Sequence, residues 1–115
     1  MIVENTQTQM RKGILEYCIL SIISRREIYA SDIILELNKA NLLIVEGTLY
    51  PLLTRLKNNG LLIYNWQESN SGPPRKYYVL SEAGIDVLKR LDVTWAELCY
   101  SVEIALDGRN LNKKP

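Results

Sequence analysis

The chain has 115 residues, enough for one domain with a modest core. Hydrophobic residues make up 47% and charged residues 23%, and no apolar run nears the roughly 18 residues of a membrane span, so neither a disordered nor a membrane-spanning chain is expected. Net charge is only +1 and histidine is absent, which removes the usual general base and the commonest metal ligand: no enzyme, metal centre or cofactor is expected.

The first ten residues are polar and lack a secretory pattern, which points to a cytoplasmic protein. Residues 1–9 read as a flexible tail. From about Met10 to Ser24, Ile14, Leu15, Cys18, Ile19, Ile22 and Ile23 recur at helical spacing and make one wide apolar face. Arg25, Arg26 and Glu27 end this helix. A second helix is predicted from about Ala30 to Lys39, with Ser31 or Asp32 as its cap and Ile33, Ile34 and Leu37 as its buried side. Asn41 suits a left-handed turn after it.

The third helix lies within EGTLYPLLTRLKNNGLL, residues 46–62, where Leu49, Leu52, Leu53 and Leu56 form the buried row. Pro51 fits if the helix starts at Thr48, because the first helical amides have no partner to lose. A start at Glu46 leaves Pro51 at a kink. Asn59 and Gly60 close the helix. The period then changes to alternation: Leu62, Tyr64 and Trp66 against Ile63, Asn65 and Gln67 read as a strand. Turn formers fill Glu68 to Pro74, and Arg75 to Leu80 read as the return strand of a hairpin. Ser81 caps a last, longer helix. The two cysteines, Cys18 and Cys99, stand in apolar helical rows and read as buried, reduced thiols. Two distant cysteines make no zinc site.

Three helices, a hairpin and a final helix give a mainly α fold with a small β-hairpin, an α+β winged helix-turn-helix over 10–81. A C-terminal dimerisation helix over 82–107 and a flexible tail over 108–115 follow. The front of the third helix is where such a fold meets the major groove of DNA. Gly47 lets backbone approach a phosphate, Thr48 offers a hydroxyl, Tyr50 a phenol, and Pro51 an apolar contact. Arg55 reaches a phosphate or a base edge. Arg75 and Lys76, stiffened by the preceding prolines, suit phosphate beside the minor groove, and Lys12 adds a backbone contact. The charge distribution agrees. Residues 47–81 carry four basic residues against Glu68, a net of +3, whereas residues 82–107 carry a net of −4.

In the last helix, Leu88, Leu91, Trp95, Leu98, Val102 and Ala105 recur at heptad spacing and are flanked by Cys99 and Leu106. A second copy of the chain is expected to cover such a row, the alternative being that the helix docks within its own chain, and a twofold dimer matches a palindromic site. Trp95 serves either as an anchor of that seam or as a stacking plate for a flat ligand, beside Leu91 and Cys99.

The stretches GTLYPLLTRLKNNGLL and GPPRKYYVLSEAG, with the later Trp95, resemble the PadR family of bacterial transcriptional regulators over about residues 10–106. The single helix after the wing is similar to its compact branch, which includes multidrug-sensing repressors. The resemblance implies a homodimeric repressor that binds a palindromic DNA operator and is released by a small aromatic effector, with Trp95 at the place of the ligand-stacking tryptophan. Acidic neighbours would favour cationic lipophilic effectors. The alternative is a winged helix that binds another protein without sequence-specific DNA contact, for which the low net charge speaks.

Overall fold

A computed structural model of the chain describes residues 2–69 and 72–111. The elements follow the predicted order, with one addition: α1 (Ile2–Ile23), β1 (Ile28–Tyr29), α2 (Ala30–Lys39), α3 (Glu46–Asn58), β2 (Leu62–Ser69), β3 (Gly72–Leu80) and α4 (Glu82–Leu106). Four helices and one antiparallel three-stranded sheet, ordered β1-β3-β2, make the expected α+β winged helix.

The tail expected over residues 1–9 is instead helical from residue 2. Extending a helix already nucleated by an apolar face costs far less than starting one. Thr6 and Thr8 also turn their hydroxyls back to donate to the carbonyls of Ile2 and Glu4, at 3.0 and 2.9 Å. Leu15, Ile19, Leu20, Ile22 and Ile23 carry the buried face of α1.

α2 begins at Ala30, so Ser31 and Asp32 lie inside it rather than capping it; Tyr29 occupies the cap position and supplies no side-chain hydrogen bond. Asn41 takes the expected left-handed conformation, with φ 61°. Leu42 N–H donates to Leu37 O and Asn41 N–H to Asn38 O, the two bonds that close off a helix C-terminus. Gly60, with φ 79°, ends α3 in the same way through Leu61 to Leu56 and Gly60 to Lys57. α3 starts at Glu46, not Thr48. Pro51 is therefore its sixth residue, and the carbonyl of Gly47 loses the main-chain donor that residue 51 would otherwise give it.

The core gathers Ile19, Leu20 and Ile23 of α1, Ile28, Ile33 and Leu37, and Leu49, Leu53 and Leu56 of α3, with Leu62 and Tyr78 from the wing. The hairpin pairs Leu62 with Leu80, Tyr64 with Tyr78 and Trp66 with Lys76. Its tip at residues 70 and 71, within the turn expected over 68–74, lies outside the described residues. Ser81 caps α4 as expected: its hydroxyl accepts from Gly84 N–H at 3.0 Å and donates to Gly60 O at 2.6 Å. Gly84 is buried against the Leu61 carbonyl and has no room for a Cβ.

Residues 2–13 of α1 and the part of α4 beyond Leu91 contain no fully buried residue, and the molecule is elongated, 64 × 31 × 22 Å. Both cysteines are free and half-buried rather than fully buried, because each sits at the margin of its helix's packed face. Residues 108–111 follow α4 without helix or strand, and residues 112–115 of the expected 108–115 tail lie outside the described residues. Among the described residues no helix is long and apolar enough to cross a membrane.

Candidate nucleic-acid interface

α3 buries Leu49, Leu53 and Leu56 and turns Gly47, Thr48, Tyr50, Pro51 and Arg55 outward. The i, i+4 and i+3 spacing of the leucines dictates this division, since it places them on one face and the intervening residues on the other. Two clefts flank the exposed front of the helix. The larger, of about 460 Å³, lies between the start of α2, the front of α3 and the wing; Tyr50, Arg75 and Lys76 line it, with Tyr29, Trp66 and Tyr78. The smaller, of about 290 Å³, lies between α1 and the connection from α2 to α3 and brings Lys12 and Arg11 beside Thr48. Gly47 and Pro51 line neither cleft.

The basic residues of the wing rest on aromatic faces. Lys76 Nζ stands 4.5 Å from the centre of the Tyr64 ring and 5.2 Å from that of Trp66. Lys57, at the end of α3, approaches Tyr64 from its own side at 5.2 Å. Arg75 lies 5.0 Å from the Tyr29 ring, which in turn packs on Tyr77. The rings hold the cations at the surface without neutralising them, so their charge stays available to an anion. Arg55 is placed differently. Its Nε lies 3.4 Å from Glu16 Oε1, an ion pair that draws it back toward α1.

Sequence reading passed over Tyr29, Trp66 and Tyr78 as members of this surface. The alternation of Leu62, Tyr64 and Trp66 places Trp66 on a common face with Lys76, its cross-strand partner, and that signal was legible. The part of Tyr29 and Tyr78 depends on β1, a strand of two residues without periodicity.

α4 offers a second surface. Leu88 and Leu91 pack partly against the core of their own chain, while Trp95, Leu98 and Val102 remain 43%, 50% and 51% exposed. Ala105 is also exposed. The Tyr17 hydroxyl donates to Asp92 at 2.6 Å and ties α1 to α4 beside Trp95, whose ring centre lies 6.3 Å from that of Tyr17. That hydrogen bond, with burial and the carboxylate charge, pushes the Tyr17 phenol up to about 12. Leu91, Trp95 and Leu98 line a notch of about 70 Å³ with Gly13, Ile14 and Tyr17; Cys99 does not reach it. Burial pushes the Cys18 thiol up from its ordinary range.

The transcriptional regulator PadR-like family model matches residues 19–90, which spans α2, α3 and the wing. The chain is similar to a PadR-like transcription factor from Bacteroides fragilis, with 54% identity, 88% of this chain and 98% of that one covered, and a TM-score of 0.75. A PadR family transcriptional regulator from Eggerthella lenta is 33% identical over 94% of this chain and 95% of its own, with a TM-score of 0.84. A PadR-like transcriptional regulator from Bacillus cereus is 37% identical over 88% and 99%, with a TM-score of 0.79.

Proposed function

Because this chain belongs to the PadR-like family of transcriptional regulators, and is thus a DNA-binding regulator and not an enzyme, we infer that it works as a homodimeric repressor. Its operator is palindromic. Each half-site takes one α3 in the major groove, through Gly47, Thr48, Tyr50 and Pro51, and one wing on the neighbouring backbone, through Arg75 and Lys76. Lys12 and Arg55 add contacts at the edges. The observation that carries this reading is the larger cleft, in which the front of α3 and the cation-bearing strand of the wing form one surface.

The second copy of the chain covers the outer half of α4. Trp95, Leu98 and Val102 form an apolar stripe there that a monomer would leave in water. Leu88 and Leu91 support the seam from behind, since they already lean on the core. The notch at Trp95 is much smaller than the roughly 300 Å³ of an ordinary small-molecule site, so a flat aromatic effector needs both copies to be enclosed. Stacked on Trp95 beside Leu91, it releases the DNA; Cys99 borders the seam without lining the notch.

A mobility-shift and footprinting experiment on the DNA upstream of the chain's own gene tests this reading. A protected inverted repeat, bound with an affinity that falls about 0.9 log units per log unit of salt for each neutralised phosphate, is the expected result. Absence of protection, or binding indifferent to salt, refutes it. Titration of Trp95 fluorescence with planar cationic dyes tests the effector, and a lack of saturable quenching removes it.

A further inference from the structure

The smaller of the two clefts beside α3 has a chemistry that DNA binding leaves unused. The connection from α2 to α3 carries four aliphatic residues in a row, Leu42 to Val45, in neither helix nor strand. Leu42 and Ile44 turn inward against the core, while Leu43 and Val45 stand 74% and 69% exposed. Leu15 of α1 lines the same groove and is 5% exposed, although it stands apart from the main core cluster. Connections ordinarily carry polar residues, and a surface run of aliphatic ones calls for a physical reason. Together these side chains give the groove, of about 290 Å³, a mainly apolar wall.

Arg11 and Lys12, both exposed, supply its charge. No aspartate, glutamate or aromatic ring is in the lining. Among the described residues, Arg25, Lys39, Arg55 and Arg90 each pair with a carboxylate, whereas Arg11 and Lys12 do not. Two unneutralised cations at the rim of an aliphatic trough complement a ligand with an anionic head and a hydrocarbon tail. A DNA phosphate would satisfy the cations but leave Leu43 and Val45 in water, and a flat aromatic ligand would find no ring to stack on. At the roughly 30 Å³ that one water takes up in the liquid, the groove holds about ten non-hydrogen atoms, the size of an eight-carbon carboxylate.

We propose that this groove binds a medium-chain aliphatic carboxylate, with its head on Arg11 and Lys12 and its chain along Leu15, Leu43 and Val45. Thr48, at the front of α3, lines the same groove, so the bound ligand fills the space beside a residue that faces DNA and neutralises Lys12. It therefore competes with DNA directly, at a site that shares no residue with the notch at Trp95. The competition rests on the DNA-binding reading; the binding itself does not.

Sodium octanoate is titrated into the isotopically labelled full-length protein and followed by NMR of its backbone amides. Octanol, acetate and octylammonium serve as controls that lack the charge, the chain and the sign of the charge. Amides of residues 42–45 should shift saturably with octanoate, at an affinity about tenfold or more above that for each control. Arg11→Gln and Leu43→Ser, both at exposed positions and checked for fold by thermal melting, should each weaken octanoate by about tenfold. Equal affinity for octanol, shifts centred on Trp95, undiminished binding in both variants or no saturable shift overturns the proposal. In a mobility shift with the footprinted duplex, octanoate should release the wild type, and Leu43→Ser, which binds the duplex like its parent, should need about tenfold more. If residues 42–45 shift and the duplex stays bound, the site stands and the competition falls. If the wild type binds no duplex while octanoate still shifts these residues, the site stands and the DNA-binding reading falls.

Discussion

The replacement Gly84→Ala sets two rules in opposition. Gly84 is the third residue of α4, where helix propensity alone favours alanine by about 1 kcal/mol. A Cβ built there, however, meets the Leu61 carbonyl oxygen at 2.1 Å, about 1.3 Å inside the 3.4 Å at which ordinary contact begins. The obstacle is backbone. It cannot rotate away, because Leu61 O also accepts from Ser81 N–H at 3.1 Å and Leu61 N–H is bonded to Leu56 O. Relief requires moving α4 off the end of α3, which also strains the bond of Ser81 to Gly60. Overpacking of this kind costs about 3 kcal/mol, so the net loss is about 2 kcal/mol, or roughly 10 °C in Tm. Chemical and thermal denaturation at fixed protein concentration measure it. Gly47→Ala is the control, since a Cβ at that helical position meets nothing within 4 Å and stability should hold or rise. A Gly84→Ala protein as stable as the parent would show that the junction between wing and α4 is slack.

Three further changes separate the surfaces. Lys76→Gln should weaken DNA binding across sequences and reduce the salt slope by about 1, whereas Tyr50→Ala should relax sequence preference, both read by mobility shift at several salt concentrations. Leu98→Asp places a charge on the exposed stripe of α4 and should yield monomers in sedimentation velocity with the fold intact, since Leu98 is half exposed and lies outside the core of its own chain. Tyr17 should ionise near pH 12 rather than its ordinary 10, as followed by NMR of labelled tyrosine. Because its folded-state value is raised, this stabilisation is complete below pH 10 and disappears as pH rises through 12. Asp92→Asn should bring the ionisation down toward 10.

What the sequence disclosed and what it withheld divide along the range of the interactions. The ends of α2 and α3 were legible at Asn41 and Gly60, and the start of α4 at Ser81, because each is fixed by a residue and its neighbours within a few positions. The start of α1 was not, since Thr6 and Thr8 gain helical conformation from the apolar turns that follow them. β1 escaped notice for a different reason: two residues carry no period, and only their pairing with Tyr77 and Tyr78 makes them a strand. The site shows the same division. Tyr50, Arg75 and Lys76 were readable from the helix face and the hairpin, but that α2 opens onto a tyrosine 48 positions later in the chain is a non-local fact. Arg55 illustrates the converse. Its place on the exposed side of α3 is plain from the leucine spacing, and only the fold reveals Glu16 beside it.

Net charge, the strongest sequence-level objection to a nucleic-acid partner, loses its force once the fold is known. The +3 of residues 47–81 belongs to α3 and the wing, and the −4 of residues 82–107 to α4 with its C-cap Asp107. Within α4, Asp86 pairs with Arg90 at 3.2 Å and Asp92 accepts from Tyr17, so part of that acidity is spent locally. The rest sits on a 25-residue helix in a molecule 64 Å long, whereas exposed charges are screened over about 8 Å at physiological salt. A phosphate at the wing therefore feels Arg75, Lys76 and Lys57 on their aromatic supports and little of the acids of α4. A sum over the sequence averages two environments that the solvent keeps apart, and for DNA binding the local sum decides.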